Sequence, residues 1–302
     1  MNSHYSVMKE EAIDLLEINK DGIYVDGTLG RGGHSGEILK RLDRGHLYAF
    51  DLDAEAIEIC RQNLNSEKCT FIHANYAEMK KYVPQADGIL LDLGVSSPQF
   101  DNAERGFSYR YDAPLDMRMD QSSEKTAAKL VNEAEEAELL RIFRSYGEVP
   151  FASRIVSNIL KRRAEKPIET TFELVDIIKM SLPPKELSKK GHPAKQCFQA
   201  LRIAVNDELS SLETFLKDLP DLLKVNGVAV IITFHSLEDR LVKNRFKELS
   251  TVKVDKRIAL RPEEIPQPDY ILPEHKVRPS AKELDENHRS HSAILRVIKR
   301  VG

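Results

Sequence analysis

The stretch Val25-Asp26-Gly27-Thr28-Leu29-Gly30-Arg31-Gly32-Gly33-His34 constrains this chain more than any other. An apolar strand, Gly22 to Val25, runs into a glycine loop and then a helical pattern, which brings backbone N–H groups close to a nucleotide-like ligand. A second strand, His46 to Phe50, runs into Asp51 about twenty residues on, where an acid can accept hydrogen bonds from both hydroxyls of a ribose. Loop and acid together describe a ligand built on adenosine.

Charge decides which adenosyl ligand. Asp26 at the end of the first strand and Glu37 in the first helical turn repel a pyrophosphate, and Ser35 stands where a dinucleotide fingerprint has its third glycine. The loop also has no Walker lysine. A carboxylate beside such a loop suits a ligand carrying an ammonium and a sulfonium in place of phosphates. S-adenosylmethionine is therefore the expected cofactor, with Asp26 as partner of the methionine ammonium.

Composition sets outer limits: 302 residues, 41% hydrophobic, suffice for one large or two modest cored domains. No apolar run approaches membrane-spanning length and the N-terminus lacks a signal-peptide profile, so a cytoplasmic protein without membrane association is expected. Cys60, Cys69 and Cys197 lack C-x-x-C spacing and read as reduced, buried thiols; no metal site is expected. The net charge of −3 hides segregation. Residues 154–195 hold ten Lys or Arg against five Asp or Glu, including Lys161-Arg162-Arg163, and such a cluster can present a basic face to phosphates.

Apolar runs at Ile23–Val25, Leu47–Phe50, Thr70–Ile72, Gly88–Leu93 and Val228–Phe234 alternate with helical patterns at Ser35–Leu42, Ala54–Leu64, Glu208–Leu223 and Leu237–Leu249. This predicts an α/β fold with a doubly wound, Rossmann-like parallel sheet, and Ala293–Ile298 as a last strand at one edge. About a hundred intervening residues break the rhythm and read as helices at Glu133–Tyr146, Phe151–Ala164 and Thr171–Met180. The expected organisation is a sheet domain of residues 1–103 and 208–302 and a helical insert of 104–207 suited to RNA recognition. Lys253 to Asn287, rich in proline and charge, reads as a long loop.

The second chemical signal is Ser97-Pro98-Gln99-Phe100, directly after the fourth strand. It resembles the Ser/Asn/Asp-Pro-x-aromatic motif that amino-methyltransferases place there. The chemistry explains the need: a cytosine N4 lone pair is delocalised into the ring until acceptors hold its N–H groups, and an aromatic ring can stack on the base. Positioning then carries the rate. Ser97, Pro98 and Phe100 are the expected catalytic set.

Further blocks, Glu104-Arg105-Gly106-Phe107-Ser108, Pro114 through Asp120, Phe198 through Ile203 and Phe234 through Arg240, complete a resemblance to the bacterial 16S rRNA cytosine-N4 methyltransferase family, RsmH or MraW. The resemblance implies methylation of N4 of a decoding-site cytidine in small-subunit rRNA, with 16S rRNA or the small subunit as partner. Carried over by position, the cofactor contacts are Gly32, Gly33, His34, Asp51, Tyr76, Asp92 and Gln99. Gly32 and Gly33 permit close backbone approach, Asp51 takes the ribose, and a ring at Tyr76 can stack on adenine. For the substrate, Phe107, Tyr109, Asp116, Arg118 and His235 are candidates to hold a splayed-out base. Monomer and homodimer stay open, as do another nucleic-acid amino-methyltransferase, a dehydrogenase sharing the sheet, and a non-catalytic assembly factor.

Overall fold

The computed structural model describes residues 6–252, 261 and 266–302, and the chain divides into two compact units. One comprises the chain up to Gly94 together with Leu209–Gly302; the other is Val95–Glu208. Residues 95–103, expected with the sheet, thus cluster with the insert.

In the first unit, β1 (Ile23–Asp26), β2 (His46–Asp51), β3 (Cys69–His73), β4 (Ala86–Asp92), β5 (Leu223–Thr233), β6 (Tyr270–Ile271) and β7 (Ile294–Arg300) form a sheet of order β3-β2-β1-β4-β5-β7-β6. The first five strands run parallel, and β7 is antiparallel to both its neighbours. Helices α1 (Lys9–Leu15), α2 (Gly33–Arg41) and α3 (Ala54–Leu64) accompany the early strands. The second unit carries α4 (Ser97–Asp101), α5 (Ala127–Glu133), α6 (Glu136–Gly147), α7 (Ala152–Glu165), α8 (Thr171–Ser181), α9 (Pro184–Leu187) and α10 (Lys195–Val205). The chain returns to the sheet through α11 (Glu208–Leu222), α12 (Ser236–Leu249) and α13 (Ala281–Glu286).

The sheet is doubly wound because its central strands are apolar on both faces. Val228, Val230 and Ile232 of β5 share a core with Ile13, Leu16 and Ile38, whereas Ala229 and Ile231 share one with Leu212, Phe215, Val242 and Phe246. The period-2 alternation of a strand sends successive residues to opposite faces, so a continuous apolar run needs helices on each. The last strand is not at an edge: β7 lies between β5 and the two-residue β6, a piece too short to register as a strand pattern. The Lys253–Asn287 loop lies partly outside the described residues, and what is described of it holds β6 and α13.

In the insert, the predicted 133–146 helix is α6, starting three residues later, whereas α5 before it and α10 were not anticipated. Thr170 and Glu173 close a capping box at α8. The basic run does not present three free charges. Arg163 donates to the Val131 and Ala134 carbonyls at 3.1 and 2.7 Å, holding the end of α5, and Arg162 pairs with Glu173. Only Lys161 of the three is exposed. Among the described residues no helix is long and apolar enough to cross a membrane.

Candidate cofactor site

Because β1 pairs with β2 on one side and β4 on the other, the carboxyl ends of these strands meet at the point where the strand order reverses. Open α/β sheets bind ligands at such a junction. Each strand ends there in an acid: Asp26, Asp51 and Asp92.

The glycine loop is tied to both neighbouring strands, Gly27 N–H to the Leu90 carbonyl at 2.9 Å and Leu29 N–H to that of Phe50 at 2.8 Å. Asp51 braces it from the side. Its Oδ2 accepts Gly30 N–H at 2.7 Å and its Oδ1 accepts Asp53 N–H at 2.8 Å. Burial pushes this carboxyl up to about 6, against the pull of the two N–H groups. A carboxylate has about four lone-pair sites, so both oxygens can still accept ribose hydroxyls.

Asp92 is set by its backbone, whose N–H donates to the Thr28 hydroxyl at 2.6 Å. Its Oδ1 is buried with no hydrogen-bond partner among the described residues, and its Oδ2 lies 3.9 Å from His34 Nδ1. Burial first, then the neighbouring acid Asp26, raises the carboxyl well above the ordinary range. An orphaned buried acceptor costs about 1–3 kcal/mol unless something donates to it. The hydroxyl and amine donors of an adenosyl ligand fit that need.

Asp26 proves different from its expected role. It is fully buried, its Oδ2 accepting the Ser35 hydroxyl at 2.6 Å and its Oδ1 the Thr28 N–H at 3.1 Å. No surface remains for an ammonium in this arrangement, so Asp26 acts as the clasp of the turn. The glycines also serve the protein before any ligand. Gly32 has φ +75 and a Cβ there would lie 3.0 Å from Cys60 Sγ on α3; a Cβ on Gly33 would lie 1.9 Å from Ser6 Oγ. Residues 6–8 thus form a strap across the loop. Val7 offers its carbonyl to His34 Nε2 at 3.1 Å, and Met8 N–H donates to Glu283 Oε1 at 2.7 Å. His34 therefore fixes the strap, and it does not cap α2. Burial holds its pKa below the usual value, keeping the ring neutral with Nδ1 turned to Asp92. Tyr76 opens the turn after β3, half-buried, with its ring edge-on to Phe215.

His235 also departs from expectation. It is the N-cap of α12, in a capping box with Glu238, its Nδ1 accepting Glu238 N–H and its Nε2 lying 3.1 Å from Glu238 Oε1. Its Nδ1 is committed to the helix start, while Nε2 is buried with no hydrogen-bond partner among the described residues.

Within the second unit, Gln99 is buried and its Oε1 accepts Ser96 N–H at 3.0 Å, closing the turn that begins α4. The Ser97 and Pro98 side chains lie outside the described residues; Phe100 is half-buried, its N–H donating to the Ser96 carbonyl at 3.3 Å. Phe107 is a core residue at 4% exposure, so it has no face to offer a base. Arg118 is bidentate to Asp116, and its Nη1 donates to the Gln121 and Ser123 carbonyls. Four of its five N–H donors are thus spent within the 116–123 loop, which the pair shapes. Tyr109 stacks on His192 at 4.3 Å and meets Phe198 edge-on.

Sequence reasoning missed Thr28, Ser35 and the strap. The first two lie inside the glycine block, where polar residues among glycines could have been read as its internal fastenings. The strap left no local signal, because its partners are 27 and 275 residues away.

A profile of the MraW methylase family matches residues 1–301. The chain belongs to the MraW methylase family. As a member of it the chain is a methylase whose cofactor is S-adenosylmethionine. Among solved structures, it is similar to a provisionally named rRNA methylase of Clostridium thermocellum, 11% identical over 98% of each chain with a TM-score of 0.46. A provisionally named methyltransferase of Streptococcus mutans in complex with SAH is 14% identical over 96% of each chain, TM-score 0.44. An rRNA methylase of Streptococcus thermophilus is 12% identical over 97% of this chain and 94% of that one, TM-score 0.40.

Proposed function

We propose that this MraW-family chain methylates ribosomal RNA, at the N4 amino group of a decoding-site cytidine of the 16S rRNA in the small subunit, in the cytoplasm. The observation that carries the reading is the place of Ser97-Pro98-Gln99-Phe100: β4 ends in Asp92, and five residues later the motif opens α4. When bound, S-adenosylmethionine supplies an electrophilic methyl group on a sulfonium.

The residues of the chain hold and orient. Asp51 and the Asp92 Oδ1 acceptor take the donors of the adenosyl group, and Gly32, Gly33 and His34 shape the loop beneath it, with Tyr76 and Gln99 completing the cofactor set. Gln99 fixes the turn from which Ser97, Pro98 and Phe100 address the base. The amine needs acceptors for its two N–H groups and a ring to stack on, not a strong base, since the methylated nitrogen sheds its proton readily. The insert carries the RNA; of the aromatic cluster Phe107, Tyr109 and Tyr111, the two tyrosines retain accessible positions.

The test is transfer from labelled S-adenosylmethionine to naked rRNA and to isolated small subunits, followed by nucleoside identification. The label is expected in N4-methylcytidine, and label in another nucleoside refutes the assignment. Pro98→Ala and Phe100→Ala should slow single-turnover transfer far more than they weaken cofactor binding, because the lost interactions act on the nucleophile.

A further inference from the structure

The insert exposes large aromatic side chains on two segments that are bonded to each other. Tyr111 is 58% exposed and Phe172 41%, and both would be expected inside. They are joined through the backbone: the Thr171 hydroxyl donates to the Tyr111 carbonyl at 2.7 Å, and Phe172 N–H donates to Asp112 Oδ1 at 3.2 Å. Neither ring pairs with another among the described residues. The segment carrying Tyr111 is further tied to the start of α8. Thr171 and Ala113 bond reciprocally through Thr171 N–H, the Ala113 carbonyl, Ala113 N–H and the Thr171 hydroxyl.

Two cations complete the surface. Arg110 adjoins Tyr111, and Lys179 lies two turns along α8 from Phe172; both are exposed and form no ion pair among the described residues. Both charges reach His192, whose pKa is lowered by burial and then by Lys179 and Arg110. His192 is itself stacked on Tyr109, with its Nδ1 accepting Ala194 N–H. Exposed rings interleaved with unpaired cations are what an unpaired polynucleotide requires: π-faces for bases and charges for phosphates.

We propose that Tyr111 and Phe172, flanked by Arg110 and Lys179, form a stacking platform for single-stranded RNA. This rests on the reading of the chain as an RNA methylase and adds the form in which its insert takes the RNA: unpaired, with bases laid on rings. A duplex, whose bases are stacked on one another, leaves these rings without partners.

The test is fluorescence anisotropy of the full chain with a short labelled single-stranded oligoribonucleotide and with a blunt duplex of the same sequence. Tyr111→Ala and Phe172→Ala should each weaken single-strand binding about tenfold, with duplex binding and cofactor affinity unchanged. Tyr111→Phe should bind as the parent does. Arg110→Gln and Lys179→Gln should flatten the salt dependence, which the aromatic changes should leave intact. Parent binding to single strands with undiminished affinity in both alanine variants overturns the platform while sparing the RNA reading. Equal losses on single strand and duplex overturn it likewise, and a parent that binds neither RNA defeats the RNA reading itself.

Discussion

Asp51 should make cofactor affinity depend on pH in a way that identifies it. Its carboxyl titrates at about 6 in the free protein, against an ordinary 3.8, because burial outweighs the two N–H groups it accepts. That rise corresponds to about 3 kcal/mol between its two protonation states. For a raised acid the sign is opposite to that of a salt-bridged one: the contribution to stability is complete below the unfolded pKa and is lost as pH rises through 6. Ligand hydroxyls bonding to the carboxylate favour the charged form, so binding lowers the pKa and affinity rises with pH. At about pH 5 some nine-tenths of the free protein holds the proton, which predicts an affinity about tenfold weaker than at pH 7 and above, with roughly one proton released per ligand bound. Isothermal calorimetry with S-adenosylhomocysteine, in buffers of differing ionisation enthalpy, measures both quantities. Asp51→Asn should bind roughly ten- to a hundredfold more weakly at neutral pH and lose the dependence between pH 5 and 7. If that variant keeps the tenfold dependence, the titrating group is another and the reasoning fails.

Gly33→Ala, whose Cβ would meet Ser6 Oγ at 1.9 Å, should cost about 1–3 kcal/mol and expose residues 6–8 to hydrogen exchange; Ser6→Gly in the same chain should restore protection. Asp26→Asn keeps both clasp bonds if its amide donates to the Ser35 hydroxyl, so calorimetry should show cofactor affinity little changed; a loss above about tenfold would return Asp26 to the ammonium. Arg163→Glu should destabilise by about 1–3 kcal/mol in urea, through the orphaned Val131 and Ala134 carbonyls, whereas Lys161→Glu should leave the midpoint unmoved.

What the sequence made legible followed from pattern length. The five parallel strands and the helices at 54–64, 152–165 and 171–181 emerge because apolar periodicity persists over whole elements, and because an apolar strand such as β5 must be central. β6 escaped, having two residues, and so did α5, whose seven residues are too few to show a helical period. At the site, residue types were readable and their duties were not. Asp51 and Asp92 stand at the strand ends where an acid was expected, but Phe107, Arg118 and His235 belong to a core, a loop brace and a helix cap. Glu238 stands where a capping box has its acid, but histidine is not a usual N-cap, so only half of that local signal was available. Nothing local distinguishes a glycine that admits a ligand from one that admits Ser6.

The strap gives the order of synthesis a consequence. Met8 is fastened by Glu283, 275 residues later, and β5 gains its antiparallel neighbour only with Ile294–Arg300. A growing chain can close β1 to β4 early and give the segment crossing Gly33 its His34 bond, but the second fastening, at Met8, waits until Glu283 has been made. A chain stalled before residue 283 thus holds Asp26, Asp51 and Asp92 while lacking one of the two fastenings of the segment that crosses the loop.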